Sequence, residues 1–512
     1  MAQRRAAPAI LAAISGGLYA LALPPVGASL LGWVALTPLF VAIAGTRPGP
    51  AFSLGTLWFF VASLGFASPM PHLVSAYFET SWLVGAVAFV GLTIAFGPLY
   101  GAWAAWLAWL VRREHGNPLL AASGLVLVEW TRTNAGAIFG WAVLAHTQAP
   151  GALVLQSADL GGAYLPGFVL AATAFAVAAA LRPELVPRRR PLWLGGTALV
   201  VLLALAYGAL RLEVEPTAHR GLRVAVVQGG IPHAERWSAD RHRADLDAYL
   251  ALTLETDPYD PDLVVWPEYA VAFDLRRRSG EREALFDTTA GGRPDLLLGA
   301  PFHRSEGIVQ NSAFLLHAGR LAGRYDKNEL LPFAERSPWP SLTTLDRRQY
   351  TPGGKASPIS GAGAEIGVLL CSEALRPDLA RRLTKNGASV LANLANDGWL
   401  DTESAARIQL RSAALRAIEN RRPLVRATGS GRSAVVGPDG RVADASEFGV
   451  PDLVLGVVVP RTERTPYTER GDLGVLLAGL IVAAATLAAG IRPDPSPAVQ
   501  ADRQPGFTDH GE

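Results

Sequence analysis

Cysteine is nearly absent from this chain. Cys371 is the only one in 512 residues, so no intrachain disulfide can form and the redox compartment is not readable. Lysine is almost as scarce: Lys327, Lys355 and Lys385 stand against 43 arginines. Charged residues make up 18% of the chain, with a net charge of +2. That balance offers no bulk attraction for nucleic acid. With half its residues hydrophobic, the chain is too apolar for an ordinary soluble protein of this length. No repeat and no metal-type cluster of side chains stands out, and no cofactor is implied.

The apolar residues are unevenly spread. Uncharged runs fall at about 7–23, 28–45, 51–69, 82–111, 118–128, 161–181, 192–210 and 473–491. A spanning helix needs roughly 20 such residues, and most of these runs qualify. Gly97-Pro98 inside the fourth predicts a kink or tilt. The fifth is short and ends at Glu129, which either meets Arg132 or caps the helix; the structural role is favoured. The first run is read as a retained helix rather than a signal peptide, because further hydrophobic runs follow.

Charge sets the orientation. With a cytoplasmic start and seven crossings before residue 212, the inside segments carry Arg4, Arg5, Arg47, Arg112, Arg113, Arg182, Arg188, Arg189 and Arg190. The outside loops (24–27, 70–81 and about 129–160) carry only Arg132. This positive-inside bias puts 222–459 on the outer face and returns the tail to the cytoplasm. The expected organisation is a seven-helix membrane domain over 1–211, a globular domain over 222–459, a last helix over 473–491, and a polar, Pro-rich, disordered cytoplasmic tail over 492–512.

From Leu222 the pattern changes to short strand-like runs: LRVAVVQGG, DLVVWPE, DLLLGAPF, QNSAFLLHAG, EIGVLLCSE, SVLANLAND, PLVRATGSG and RSAVVGPDG. ADRHRADLDAYLALTLE and ESAARIQLRSAALRAIENRR read as amphipathic helices between them. Strands mixed with helices over this length predict one α/β domain. The PDG at 438–440 predicts a hairpin-type turn.

Three strand-like runs end on reactive side chains: Glu268 after DLVVWP, Lys327 after LAGRYD and Cys371 after GVLL. Taken singly, each has a bland reading as core or surface residue. Together they suit nucleophilic acyl transfer. The Cys371 thiol attacks, Glu268 takes its proton, and Lys327 holds the oxyanion and keeps Glu268 ionised. In a chain that otherwise uses arginine, a lysine here suggests a site that wants a compact ammonium. The Ser372 N–H is a candidate second oxyanion donor, and Glu335 and Glu373 can hold Lys327 and the substrate. Arg426 can meet a phosphate or a buried carboxylate.

VVWPEYA, YDKNELLPFAE and LLCSEA together resemble the three signatures of the nitrilase superfamily. That resemblance implies an αββα sandwich and a Glu-Lys-Cys triad at Glu268, Lys327 and Cys371. The chain over nearly 1–491 is similar to the apolipoprotein N-acyltransferase family, through LALPPVGASLLGWVALTPLF, EWTRTNAGAIFGWAVLAHTQ, VQGGIPHAERW and RAIENRRPLVRATGSG. The resemblance implies an eight-helix inner-membrane enzyme whose catalytic domain is periplasmic, with Trp237 at a functional position. It further implies a ping-pong reaction. A phospholipid acylates Cys371, and the amine of a diacylglyceryl-cysteine apolipoprotein takes the acyl chain. A monomer is expected. Hydrolysis of the thioester, or another amine acceptor, is the alternative. Ser372 stands where the family has an aromatic residue, and Gly230 where Asn is typical. Pro338-Trp339-Pro340 and the 70–81 loop, with Tyr77 and Phe78, read either as apolar lids or as interfacial anchors.

Overall fold

Proline and asparagine set where the membrane helices begin. Pro48 and Pro118 each occupy a first helical position, where a missing N–H costs nothing, and the Asn117 side chain accepts the Leu120 N–H at 3.0 Å. The computed structural model describes residues 2–78, 80–136, 139–212, 221–231, 241–276, 280–305, 308–332, 334–336, 350–399 and 402–491.

The N-terminal part is helical: α1 (Ala2–Ala22), α2 (Thr37–Ile43), α3 (Pro48–Phe66), α4 (Met70–Tyr77), α5 (Trp82–Arg112), α6 (Pro118–Asn134), α7 (Ala158–Gly161), α8 (Tyr164–Leu181) and α9 (Arg190–Leu212). Among the described residues five helices are long and apolar enough to cross a membrane: α3, α5, α8, α9 and the C-terminal α15 (Leu473–Ile491). A core of aromatic and alanine side chains binds α1, α2, α3, α5, α6 and α8, with Phe40 packed edge-on against both Trp103 and Phe175. By contrast α9 is buried along very little of its length, which suits a helix bathed in lipid.

Three details differ from the sequence reading. The run at 28–45 is broken, with a 3-10 turn at Ser29–Trp33 before α2. The 70–81 segment is not a plain loop, because α4 occupies most of it and packs on α5. The fifth run extends as helix to Asn134, so Glu129 and Arg132 lie on α6 rather than in a loop. Both charges are buried and hydrogen-bonded there. Glu129 accepts the Leu144 N–H at 2.7 Å, and Arg132 donates to the Trp141 and Ala142 carbonyls.

Among the described residues the central part holds two six-stranded sheets. The first contains β1 (Leu222–Gln228), β2 (Leu263–Val265), β3 (Asp295–Ser305), β4 (Ile308–His317), β5 (Arg320–Asp326) and β12 (Asp452–Val458), in the order β12-β1-β2-β3-β4-β5. The second contains β6 (Ile359–Gly361), β7 (Ala364–Leu370), β8 (Val390–Ala395), β9 (Leu424–Thr428), β10 (Ala434–Val436) and β11 (Val442–Ala445), in the order β11-β10-β9-β8-β7-β6. β1, β2 and β3 run parallel, as do β7, β8 and β9. The PDG turn joins β10 to β11 antiparallel, with the Gly440 N–H on the Gly437 carbonyl at 2.9 Å.

Two-residue periodicity explains the layers. Val224, Val226, Leu263, Val265, Leu297, Ala313 and Leu315 of the first sheet share a core with Ile366, Val368, Val390 and Val425 of the second. Their neighbours Ala225, Val227, Val264, Leu298 and Phe314 face the opposite way, against α10 (His242–Leu254) and α11 (Gly280–Asp287). Strands buried on both faces read as continuous apolar runs, and these do.

α12 (Pro377–Lys385) and α13 (Glu403–Asn420) cover the second sheet, and α14 (Pro466–Arg470) leads into α15. α13 has almost no solvent face, unlike the amphipathic helix expected. Leu410, Ala413, Ala414 and Ala417 pack on the sheet, while Leu415 and Ile418 pack on Val143, Ala145, Leu155, Ala158 and Ala163 of the membrane part. Polar groups reinforce that seam. Arg421 donates to Asp159 at 2.9 Å and to Gln156 at 2.7 Å, and the Ala163 N–H donates to Glu419 at 2.8 Å.

Candidate active site

Glu268 and Cys371 lie past the C-terminal ends of the parallel strands β2 and β7, and Lys327 lies past the end of the antiparallel β5. β2 stops at Val265, and the chain turns through Trp266 and Pro267 to Glu268. Trp266 is anchored by stacking on Tyr249 and by an indole bond to Thr253 at 2.9 Å. Tyr269, the next residue after Glu268, has φ +53°, a left-handed conformation that costs a non-glycine residue roughly 1–2 kcal/mol. The turn fits because Gly299 on β3 lies directly beneath it.

Lys327 follows β5, and its N–H bonds the Asn311 carbonyl at 2.8 Å. Its ammonium is buried and donates to Glu268 Oε1 at 3.1 Å and to Glu335 Oε1 at 2.9 Å. Burial alone would lower the Lys327 pKa, but the Glu268 and Glu335 carboxylates outweigh it and hold the pKa well above its ordinary value. Lys327 therefore stays a cation. Glu335 is held in turn, accepting the Leu331 N–H on Oε2 at 2.8 Å.

Cys371 ends β7 and opens a 3-10 turn, Cys371–Leu375. Its φ is +49°, another strained non-glycine position, and such strain gathers at functional sites. The Asn393 amide supports the turn by donating to the Leu369 carbonyl at 2.8 Å and the Cys371 carbonyl at 3.4 Å. Burial pushes the thiol pKa up, with Glu268 raising it further and Lys327 opposing. The resting thiol is therefore protonated, and it would need a base to act as a nucleophile.

The structure thus brings Glu268, Lys327, Glu335 and Cys371 into one electrostatic unit. Glu373 takes a different role from the one expected. It makes no hydrogen bond to Lys327. Its carboxylate accepts the N–H groups of Leu370 at 2.7 Å, Asn328 at 2.7 Å and Glu329 at 3.0 Å, plus the Tyr325 hydroxyl. With every lone pair engaged, it pins the segment after Lys327 to the turn of Cys371 and has little left for substrate. Burial pushes its pKa up to about 7, against the backbone N–H groups that favour the anion. Ser372 is buried, and its hydroxyl has no hydrogen-bond partner among the described residues. Trp237 and Pro338-Trp339-Pro340 lie outside the described residues. Phe78 follows α4 half-buried, and α4 lies against the Asp397–Trp399 turn.

Two elements escaped sequence reasoning, the Asn311 and Asn393 amides. Asn311 touches both carboxylates. Arg426 is fully buried and donates to Asn393 and Asp397 rather than to a phosphate, so it stiffens the support of Cys371. The available signal was an uncharged amide inside each of two apolar strands, QNSAFLL and LANLAND. Gly230 has φ +66°, a conformation that glycine and asparagine tolerate best.

The membrane part comes up to this site. Gly140 sits against the Leu375 carbonyl, and Gly136 lies beside Pro332 of the segment between Lys327 and Glu335. Phe139, in the same loop, meets Phe96 of α5 in a tilted ring contact, with centroids 4.7 Å apart.

Two family models match the chain in its two parts. The carbon-nitrogen hydrolase model matches residues 223–456, and the apolipoprotein N-acyltransferase N-terminal domain model matches residues 15–176. The chain is 29% identical over 496 residues to an apolipoprotein N-acyltransferase of Geobacter metallireducens, covering 93% of this chain and 94% of that one. It is 30% identical over 500 residues to that of Gloeobacter violaceus, with 94% of each chain covered. For Pseudomonas aeruginosa strain LESB58 the identity is 29% over 515 residues, covering 94% and 96%. Similarity that runs through the membrane helices and both sheets alike leads to one conclusion: this chain belongs to the apolipoprotein N-acyltransferase family.

Proposed function

We propose that this protein moves an acyl chain from a membrane phospholipid to the N-terminal amine of a diacylglyceryl-cysteine apolipoprotein, through a thioester on Cys371. The observation that carries the reading is the convergence of Glu268, Lys327 and Cys371 directly above the loop between α6 and α7.

The steps balance as follows. Glu268 accepts the Cys371 proton while Sγ bonds to the ester carbonyl carbon. The Lys327 ammonium and the Ser372 N–H hold the oxyanion. Collapse breaks the carbon–oxygen bond, and Glu268 returns the proton to the departing lysophospholipid alcohol. The acceptor amine then attacks the thioester and loses a proton to Glu268. The carbon–sulfur bond breaks, and that proton goes back to sulfur as the amide forms.

Orientation and organisation belong to the same proposal. Eight spans are assigned: the five long apolar helices plus α1, the broken segment of α2, and α6. The seven-helix unit is 1–211, the catalytic αββα unit 222–459, the last span 473–491 and the cytoplasmic tail 492–512. Arginine bias supports cytoplasmic termini and an outward-facing catalytic unit in the inner membrane. The position of Phe139 and Phe96 beneath the site supports acyl chains entering from the bilayer, where exclusion of water protects the thioester.

Intact-protein mass spectrometry tests the reading. After incubation with phospholipid, the protein should gain one acyl mass, absent in Cys371→Ala, that moves onto a diacylglyceryl-cysteine peptide. Loss of the adduct to water alone would make the protein a hydrolase, and no adduct would overturn the assignment.

A further inference from the structure

Asn311 is fully buried on β4, and strand parity explains where it points. Ala313 and Leu315 enter the core between the sheets, while Phe314 and Leu316 face the other way. Asn311 shares the parity of Ala313, so its amide enters the space between the sheets at the catalytic end. There Nδ2 donates to Glu268 Oε1 at 2.7 Å and to Glu335 Oε1 at 2.9 Å. Lys327 Nζ donates to the same two oxygens, at 3.1 and 2.9 Å. Two donors and two acceptors form a closed ring, and the Asn311 carbonyl fixes the Lys327 backbone as well.

The ring has a chemical consequence. One ammonium between two buried carboxylates leaves a net negative charge, which is costly away from water. The amide adds a second donor that carries no titratable proton. Donors favour the ionised form of the carboxylate they touch. Oε1 of Glu268 thus accepts two hydrogen bonds, one from Asn311 and one from Lys327.

We propose that Asn311 is a positioning residue for acyl transfer. It clamps Oε1 of Glu268 beside Glu335 and so sets how the base meets Cys371. The proposal rests on Cys371 as the acylated nucleophile and Glu268 as its base.

Single-turnover acylation of the full-length protein by phosphatidylethanolamine in mixed micelles, followed against pH, tests it. Asn311→Asp matches the shape and removes the donor. Asn311→Leu fills the space without a third carboxyl group and serves if Asn311→Asp does not fold. Acylation near neutral pH should fall roughly 10- to 100-fold, the worth of hydrogen bonds to a charged group. The acid limb of the profile should move to higher pH, with lipid KM close to the parent value and a rate loss larger than any drop in Tm explains. An unmoved acid limb, or a rate loss that merely follows a drop in Tm, would reduce Asn311 to a packing role. Absence of any Cys371-dependent adduct in the parent protein would instead bring down the function on which the proposal stands.

Discussion

Gly299 lies so close under Glu268 that a β-carbon at position 299 would stand 2.5 Å from the Glu268 α-carbon. The Pro267 carbonyl also accepts the Gly299 N–H at 3.1 Å. The neighbouring strand β3 therefore sets the height of the Glu268 turn. Gly299→Ala must push the Glu268 turn away, and overpacking of this kind costs about 1–3 kcal/mol. The expected result is a lower Tm together with a loss of acyl-enzyme larger than the stability change explains. Thermal unfolding in detergent and mass spectrometry of the adduct check both, and a variant with parent-like acylation would contradict the placement.

Lys327→Arg should be nearly inactive although it keeps the charge. The ammonium sits between two carboxylate oxygens at 3.1 and 2.9 Å in a buried site, which a broad planar guanidinium cannot enter without moving them. Loss of a transition-state donor lowers turnover by roughly 100-fold or more. Steady-state transfer to a diacylglyceryl peptide measures this, and near-normal turnover would count against the role given to Lys327.

The thiol should titrate abnormally high. Burial and then Glu268 raise the Cys371 pKa, while Lys327 opposes them. A raised pKa means less thiolate at a given pH, so modification by a small methanethiosulfonate should keep climbing between about pH 8 and 10, where an ordinary cysteine levels off. Removing the negative charge in Glu268→Gln should move the curve to lower pH. Removing the positive charge in Lys327→Met should move it higher. A curve that plateaus near the ordinary cysteine value would show that the thiol is not held in this environment.

Asp159 is the knot between the membrane part and the catalytic part. It is buried and accepts from Arg421 at 2.9 Å, Arg211 at 3.0 Å and Tyr207 at 2.8 Å. Asp159→Ala strands the buried Arg421 guanidinium, and breaking a buried pair from one side costs about 3–5 kcal/mol. The expected outcome is a lowered Tm and faster proteolysis at the joint between the two parts. Asp159→Asn, which keeps an acceptor oxygen, should lose less. Equal Tm values for Asp159→Ala and the parent protein would remove Asp159 from this role.

Much of this protein was legible in one dimension because its signals are local. Every strand-like run named from the sequence became a strand, since a short apolar run bounded by turn residues needs only neighbouring residues to define it. β12 was missed because DLVLGVV sits beside turn residues with no chemistry to draw the eye. α13 was read as amphipathic because a sequence cannot distinguish a solvent face from a second buried one. Its second face is covered by Val143, Ala145 and Ala158, residues more than 200 positions earlier. Glu335 and Glu373 looked equivalent as acidic residues near the site. The fold separates them, giving Glu335 to Lys327 and Glu373 to backbone N–H groups.

The amino-acid sequence by itself determined the division into apolar helices and a strand-rich middle, and the three reactive residues at strand ends. Hydrophobic period and residue type act along the chain and can be read there. Only the tertiary structure decided that Asn311 joins Glu268 to Glu335, that Gly299 sets the level of the Glu268 turn, and that Arg426 holds Asp397 rather than a phosphate. Those relationships depend on which strand lies beside which. That choice follows from packing both sheets and the membrane helices at once, not from any single segment.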